Sequence, residues 1–379
     1  MYSLSSFGSM MADTPRLEAY RAVIERLVDE RTVVVEIGTG AGIQALLAAR
    51  AGAKHVYAIE PENSIKVAEH VAKENGYSDR ISFFHGLSTK IDLPERADLI
   101  LSDLHGILPY FYHHIPTIVD ARTRLLKSEG RLVPQKDILW AAPVQDADLY
   151  EKQVGPWKNN TFGFDYSRAL NLAVNSWGQG RPDRSGFLTS PQKLAELDYR
   201  SVESPDLASE GAFTVVQDGT LHGFSVWFDV TLFEDITLSN APNKEELAYG
   251  TAFYPVEKPV EVVSGDQVVL GLRAVYNRGD YIWSWNTRVT TDSGDDKAAF
   301  DQSTFKGKIF VVDDLKKRMA TYQPTLSSDG LMQRDALNLL AEGLPLLEVA
   351  KQLFESHPDV FKEANDALEH VRDLSQKFG

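Results

Sequence analysis

Three alternating glycines and a following glutamate occupy EIGTGAGIQALLAARAGAKHVYAIEPEN, residues 36–63. Gly38, Gly40 and Gly42 lie after a β-branched run, and Glu60 ends the next apolar run. Glycine lets the backbone turn tightly and lets a ligand approach where a Cβ would collide. An acid at the position of Glu60 can accept hydrogen bonds from both hydroxyls of a ribose. The stretch therefore predicts a site for a nucleotide-like ligand, and the spacing leaves open which one.

A second group of reactive residue types lies in SDLHGILPYFYHH, residues 102–114. Here His105, His113 and His114 fall close together, and a histidine with a pKa near neutral can take a proton from an amine, an imidazole or a hydroxyl. The alternative is that each histidine is a surface or core residue with satisfied hydrogen bonds. A metal site is not expected, because the chain has no cysteine and no H-x-x-x-H spacing.

Alternating strands and helices must position both groups. Apolar residues at helical spacing predict a helix over 13–29, with Asp13 or Thr14 as the N-cap. The alternation of predicted strands and helices that follows this helix indicates βαβ units and a parallel sheet. Short apolar runs predict the strands 32–38, 54–60, 80–86 and 97–103, and the helices between them are predicted over 43–50 and 63–75.

The character of the sequence changes twice beyond this region. After about Pro143, β-rich tracts separated by turn residues predict an antiparallel barrel or sandwich. From about residue 326, apolar residues return at helical spacing and predict a small helical module. The expected parts are N-terminal helices over 1–30, an α/β parallel-sheet domain over 31–143, a barrel domain over 144–325 and a helical module over 326–379.

Composition narrows the class of protein. The 379 residues are 43% hydrophobic and 25% charged, which is a globular composition with length for two or three domains. A formal charge of −15 and a pI near 5.1 argue against nucleic-acid binding and mildly favour cationic substrates, with ordinary acidic solubility as the alternative. The lack of cysteine, of a signal-peptide pattern and of a long apolar run predicts a cytoplasmic protein without membrane contact.

Several motifs, in chain order, resemble the protein arginine methyltransferase family, a branch of the class I S-adenosylmethionine-dependent methyltransferases. EIGTGAG resembles motif I of that class, and AARAGAKHVYAIE is similar to the family pattern A-A-x-A-G-A-x-x-V-x-x-x-E. MMADTPRLEAY resembles the family's N-terminal helix, and LLKSEGRLVPQK its crossing into the barrel. The resemblance covers about residues 9–310. It implies a Rossmann-like methyltransferase sheet followed by a β-barrel, and a homodimer formed through an arm-like segment, 157–190.

The resemblance also implies roles around the cofactor, S-adenosyl-L-methionine. Arg16 matches the arginine that pairs with the methionyl carboxylate. Glu60 is expected to hold the ribose, while Ser88 and Thr89 match the pair beside the adenine, where the family's usual glutamate is absent. The expected cofactor-binding residues are Arg16, Glu36, Gly38, Gly40, Glu60, Ser88 and Thr89.

The family's arginine-binding hairpin, S-E-x-M-G-x-x-x-x-x-E, is altered in this chain. Asp103 replaces the first glutamate, His105 the methionine and Tyr112 the second glutamate. The histidine of the family's Thr-His-Trp loop is also lost. One carboxylate and a phenol offer a guanidinium a single charge, so arginine is possible but not compelled. The candidate catalytic residues are Asp103, His105 and Tyr112, and Met10 and Tyr249 are expected to line the acceptor pocket.

The leading interpretation is an N-methyltransferase acting on an arginine-like or other cationic nitrogen in a protein, peptide or small metabolite. The alternatives are an O- or imidazole-methyltransferase using Asp103 and His105, and a non-catalytic homologue that binds the cofactor. Residues 326–379 are weakly similar to PqqD-like modules that present peptides to modifying enzymes. The alternative for them is an extra helical layer packed on the barrel or dimer.

Overall fold

The computed structural model of the protein describes residues 4–158 and 162–378. Residues 159–161 of the predicted arm, 1–3 of the N-terminal segment and 379 lie outside the described residues. The chain divides into two compact units, with the division between residues 308 and 309. No helix in the described ranges combines the length and the apolarity needed to cross a bilayer.

The first unit opens with two helices and a parallel sheet. The side chain of Asp13 accepts from the backbone N–H of Arg16 at 3.2 Å, and Pro15 follows in the first turn, as the N-cap prediction requires. The elements in chain order are α1 (Leu4–Ala12), α2 (Thr14–Leu27), β1 (Val33–Ile37), α3 (Ile43–Arg50), β2 (His55–Glu60), α4 (Ile65–Glu74), β3 (Ile81–His85), β4 (Ala97–Ser102), α5 (His114–Arg124) and β5 (Leu126–Val133).

The parallel strands lie in the order β3-β2-β1-β4-β5. All five residues of β1 are buried, as expected for a continuous apolar strand with cover on both faces. Strands β2 and β3 lie on one side of β1, and β4 and β5 lie on the other. The crevice at the carboxyl ends of β1 and β4 is therefore the topological switch point, where such sheets bind ligands. Ile37 is in register with Ile59 and with Ser102, which brings the glycine loop, Glu60 and Asp103 to one edge.

Two antiparallel sheets make up the rest of the first unit. The elements are β6 (Lys136–Val144), α6 (Ala147–Lys158), α7 (Ser167–Ala173), β7 (Gly178–Gln179), β8 (Gln192–Asp198), β9 (Leu207–Thr214), β10 (Gly219–Phe233), β11 (Ile236–Ser239), β12 (Ala252–Val262), β13 (Gln267–Asn277), β14 (Asp280–Thr290) and β15 (Asp296–Ser303). One sheet has the order β7-β12-β10-β6-β8, with β11 on β10, and the other has the order β15-β14-β13-β9. Trp285 is fully buried in the barrel and donates from Nε1 to the carbonyl of Pro255 at 2.9 Å.

The second unit is helical. Ser327 caps its second helix by accepting from the N–H of Gly330 at 3.1 Å, and Val349, Leu353 and Val371 are fully buried in a core of its own. The predicted fold class, with a parallel sheet, antiparallel sheets and C-terminal helices, is confirmed. The bounds of the four predicted parts of the chain stay predictions. The helices are α8 (Val312–Lys317), α9 (Ser328–Ala341), α10 (Leu346–Ser356) and α11 (Ala364–Phe378).

Candidate active site

The glycine loop after β1 adopts a conformation that other residues rarely take. Gly38, Gly40 and Gly42 have φ values of 80°, 52° and 89°. The N–H of Gly38 donates to the carbonyl of Ile59 at 2.9 Å, which ties the loop to the end of β2. A Cβ built on Gly40 would lie 2.8 Å from the ring of Phe7 in α1. The loop therefore requires glycine at this position, and α1 packs directly against it.

Two buried glutamates support this loop. Glu36 accepts from the N–H of Ala45 at 2.9 Å and from the hydroxyl of Thr39, and burial raises its pKa to about 8 despite these bonds. Glu60 accepts from the N–H of Gly40 and from that of Glu62, both at 2.9 Å. Burial also raises the pKa of Glu60. Each Glu60 oxygen keeps a second lone pair with which to accept a ligand hydroxyl.

The residues predicted beside the adenine lie in a short 3₁₀ turn, Ser88–Lys90. Ser88 is buried and its carbonyl accepts from the guanidinium of Arg124 at 2.5 Å, while Thr89 is exposed. The turn follows β3, next to the end of β2. Its predicted contact with adenine stays a prediction.

Arg16 connects α2 with the altered hairpin. Its guanidinium forms an ion pair with the carboxylate of Asp103 and donates to the carbonyl of Met10 at 2.8 Å. Nε lies 3.4 Å from an oxygen of Asp13, and the side chain is almost fully buried. Burial opposes the charge of Arg16, but Asp103 keeps its pKa above the usual range. The predicted cofactor arginine and the predicted catalytic acid are therefore direct neighbours.

Asp103 follows β4 directly, and its side chain is only 8% exposed and faces three donors. Its Oδ1 accepts from the Tyr249 hydroxyl at 2.8 Å and lies 3.4 Å from Nδ1 of His105, while Oδ2 pairs with Arg16. Burial alone would raise the pKa of Asp103, but the hydrogen bond with His105 and the charge of Arg16 lower it to about 2. Asp103 is thus an anion at neutral pH, and the structure brings the predicted pocket residue Tyr249 to it.

His105 lies between two carboxylates in a fully buried position. Nε2 is 2.9 Å from Oδ2 of Asp137, and Nδ1 faces Asp103. Its ring stacks on Phe228 with centroids 5.0 Å apart. Burial would lower the pKa of His105, but the charge of Asp137 and the bonds to both carboxylates raise it to about 10. An imidazolium with both N–H groups donated has no lone pair for a proton, so this geometry does not fit the predicted role of His105 as a base.

Asp137 and Tyr199 belong to the same cluster, although the sequence reasoning did not identify them. The Tyr199 hydroxyl donates to Oδ2 of Asp137, and both side chains are buried. In the described residues Oδ1 of Asp137 has no hydrogen-bond partner. A charged residue at a buried position of the apolar strand KDILWAAPV was the signal that could have identified Asp137.

The remaining hairpin residues do not converge on Asp103. Tyr112 is 58% exposed, has φ of 40° and packs against Phe111. Within residues 4–158 and 162–378, no hydrogen bond joins Tyr112 to Asp103. His113 bonds through Nδ1 to the Tyr276 hydroxyl at 2.6 Å and is exposed. The structure thus separates the predicted catalytic Tyr112 from the buried cluster.

His114 is buried beside His105 with its Nδ1 2.9 Å from the carbonyl of Pro109. Burial and the positive charge of His105 lower its pKa to about 4. His114 is therefore neutral at physiological pH and serves as an apolar-like neighbour of His105, with ring centroids 4.9 Å apart.

A parallel sheet with a glycine loop at its switch point, followed by a β-barrel that supplies Tyr249, defines a nucleotide-binding enzyme fold of the class I methyltransferase type. The family model for the arginine methyltransferase oligomerization subdomain matches residues 135–288, and that for ribosomal protein L11 methyltransferase matches residues 17–143. The chain belongs to the protein arginine methyltransferase family, which confirms the resemblance.

Two relatives and one solved structure illustrate the match. The chain is 30% identical over 262 residues to the probable protein arginine N-methyltransferase 6 of Arabidopsis thaliana, covering 67% of this chain and 60% of that protein. It is 29% identical over 271 residues to protein arginine N-methyltransferase 1 of Schizosaccharomyces pombe, covering 68% of this chain and 78% of that protein. The Trypanosoma brucei PRMT1 enzyme–prozyme heterotetrameric complex with AdoHcy has the same fold, with a TM-score of 0.71 at 22% identity over 78% of this chain and 96% of that chain.

Proposed function

We propose that the chain is an S-adenosylmethionine-dependent methyltransferase that transfers a methyl group to a nitrogen nucleophile in a protein, peptide or small molecule. The observation that carries this proposal is the contact between Arg16 and Asp103 at the switch point. It places a carboxylate-binding cation and a buried anion side by side, next to the glycine loop. The membership of the protein arginine methyltransferase family supports the same activity.

The residues present fit the proposed cofactor. Gly38 and Gly40 lie against the side chains of Leu104 and Phe7 with no room for a Cβ, and Arg16 keeps a buried Nε that has no hydrogen-bond partner in the described chain. Glu60 can accept from the ribose hydroxyls with the lone pairs that its backbone bonds leave. When bound, the cofactor supplies an electrophilic methyl group. Arg16 would hold its carboxylate.

Asp103 has the properties required to orient a nucleophile and to stabilise the positive charge that develops on nitrogen. Its low pKa keeps it anionic, and the low exposure of its side chain strengthens the interaction with that charge. The Tyr249 hydroxyl fixes one of its oxygens at 2.8 Å. The buried site also excludes water, which limits hydrolysis of the donor.

Cofactor affinity tests this proposal. We expect the full chain to bind S-adenosylmethionine in titration calorimetry, and Arg16→Met to weaken binding by about 10- to 100-fold, the usual range for a lost charged hydrogen bond. Arg21→Met is the matched control, because Arg21 lies on the same helix but pairs at the surface with Glu18. Asp103→Asn should leave binding largely intact and reduce transfer of labelled methyl to cell extract. A wild-type chain that does not bind the cofactor would overturn the proposal.

We infer that the chain forms a homodimer through the segment 157–190. Its support is the exposure of large aromatic side chains there, with Phe162 83% and Trp157 42% exposed, together with the match to the oligomerization subdomain. Sedimentation at micromolar concentration should show a dimer, and Phe162→Asp should shift it toward the monomer. A monomeric wild-type chain would contradict this inference.

A further inference from the structure

Behind the proposed catalytic acid, His105 and Asp137 form a fixed, buried ion pair. Nε2 of His105 and Oδ2 of Asp137 are 2.9 Å apart, and both side chains are almost wholly excluded from solvent. Phe228 stacks on one face of the imidazole, and the Tyr199 hydroxyl holds the same oxygen of Asp137. The ring therefore cannot turn without breaking several contacts, and its Nδ1 points at Asp103.

The neighbouring donors occupy one of the two carboxylate oxygens of Asp103. Oδ1 faces two donors, the Tyr249 hydroxyl at 2.8 Å and Nδ1 of His105 at 3.4 Å. Only Oδ2, the oxygen that Arg16 contacts, can be shared with an acceptor molecule. A guanidinium is bound best by two parallel N–H···O bonds to two oxygens. A single available oxygen instead suits a nucleophile that offers one N–H.

The charges of the buried groups around Asp103 also disfavour a guanidinium. Asp103 already faces two cationic groups, the guanidinium of Arg16 and the imidazolium of His105, and each of these also lies beside a second carboxylate, Asp13 or Asp137. Tyr112 supplies no second carboxylate and is directed to solvent. A guanidinium entering this site would be a third positive charge beside Asp103, which Arg16 and His105 already contact, and this is costly in a buried region. An uncharged acceptor has no such cost.

We propose that the His105–Asp137 pair determines acceptor specificity, and that it selects an uncharged nitrogen nucleophile, an imidazole or a neutral amine, over a guanidinium. This inference rests on the proposed methyltransferase function. The acceptor's lone pair forms the bond to the methyl carbon, the carbon–sulfur bond breaks and its electron pair remains on sulfur. The acceptor becomes cationic and is stabilised by Oδ2 of Asp103. It then loses a proton to water, from the methylated nitrogen of an amine or from the other ring nitrogen of an imidazole. His105 acts as a positioning residue in this step.

The first test compares acceptors under identical conditions. The full chain, with labelled S-adenosylmethionine, is given peptides that differ only in a central arginine, histidine or neutral aromatic amine, and cell extract is analysed by mass spectrometry for the methylated atom. We expect label on imidazole or amine nitrogen at least about tenfold above guanidinium. Equal or greater labelling of guanidinium would overturn the inference while leaving the proposed function intact. Failure to bind the cofactor would instead overturn the proposed function itself, and this inference with it.

The second test changes the pair. His105→Met removes the buried positive charge, so the ratio of guanidinium to imidazole methylation should rise by about tenfold or more. His113→Met is the matched control, because it makes the same substitution on the same hairpin at an exposed ring that bonds to the Tyr276 hydroxyl, and it should leave the ratio unaltered. A merely structural role for His105 would lower both rates together. An unchanged ratio in folded His105→Met would therefore contradict the proposal.

Discussion

The buried imidazolium of His105 makes a quantitative prediction about stability against pH. The pKa of His105 is raised to about 10 in the folded chain, whereas an unfolded histidine has a pKa near 6.5. A raised pKa contributes stability that is fully present below about pH 6.5 and is lost as pH rises through about 10. Between these limits the folded state holds one more proton, so the free energy of unfolding falls by about 1.4 kcal/mol per pH unit.

The other buried titratable groups limit the pH range in which this slope reports on His105 alone. Glu36, with a pKa raised to about 8, gives a slope of the same sign that ends near pH 8. The raised tyrosines act only above about pH 10, where unfolded tyrosine ionises. Between pH 8.5 and 9.5 the free energy of unfolding should therefore fall by about 1 kcal/mol because His105 loses its proton. The titratable groups that face it are Asp103, Asp137, His114, Tyr199 and Tyr249.

Urea unfolding at pH 8.5, 9.0 and 9.5, followed by tryptophan fluorescence, measures this slope. The wild type and Tyr199→Phe, which keeps His105, should both lose stability across the window. His105→Gln should be less stable at pH 8.5 by about 3–5 kcal/mol, the usual cost of breaking a buried pair, and should lack the slope. Equal slopes in the wild type and His105→Gln would refute the assignment of a charged, doubly bonded imidazole.

Two further variants test the glycine loop and the N-terminal cap. Gly40→Ala should weaken cofactor binding at least about tenfold in calorimetry, because its Cβ would meet Phe7 at 2.8 Å. Gly52→Ala is the control, since Gly52 also has a positive φ but has open space around it. A similar loss of cofactor affinity in Gly52→Ala would contradict the explanation by contact with Phe7. Asp13→Ala should lower the free energy of unfolding by about 1–2 kcal/mol in urea titration, because its carboxylate accepts from the N–H groups of Arg16 and Ala248. An unchanged midpoint would show that the cap is dispensable.

Local sequence predicted the parallel-sheet half of the fold well. The strand before the glycines is a continuous apolar run, and the helix after them has the same bounds, 43–50, in the structure. These features depend on residues only a few positions apart, which a sequence pattern shows directly. The conformational freedom of glycine and the acceptor oxygens of Glu60 also limit the kind of ligand that this loop could bind. The Asp13 cap was predictable for the same reason.

The buried cluster was not predictable in this way. His105 contacts Asp137 and Tyr199, which lie 32 and 94 positions further along the chain, so packing rather than local pattern determines its charge. From the sequence, His105 was a candidate base, and the two carboxylates around it change this expectation. Tyr112 matched a family position by spacing, but its backbone conformation directs it to solvent.

The ion pair between Arg16 and Asp103 has a thermodynamic consequence. If Arg16 binds the cofactor carboxylate, as we propose, that carboxylate would compete with Oδ2 of Asp103 for the same guanidinium and would release that oxygen for the acceptor. Binding of the first ligand then favours binding of the second, and linkage requires the converse by the same factor. The two ligands should therefore bind with positive cooperativity, and the residue that transmits this coupling is a single arginine in the N-terminal helix.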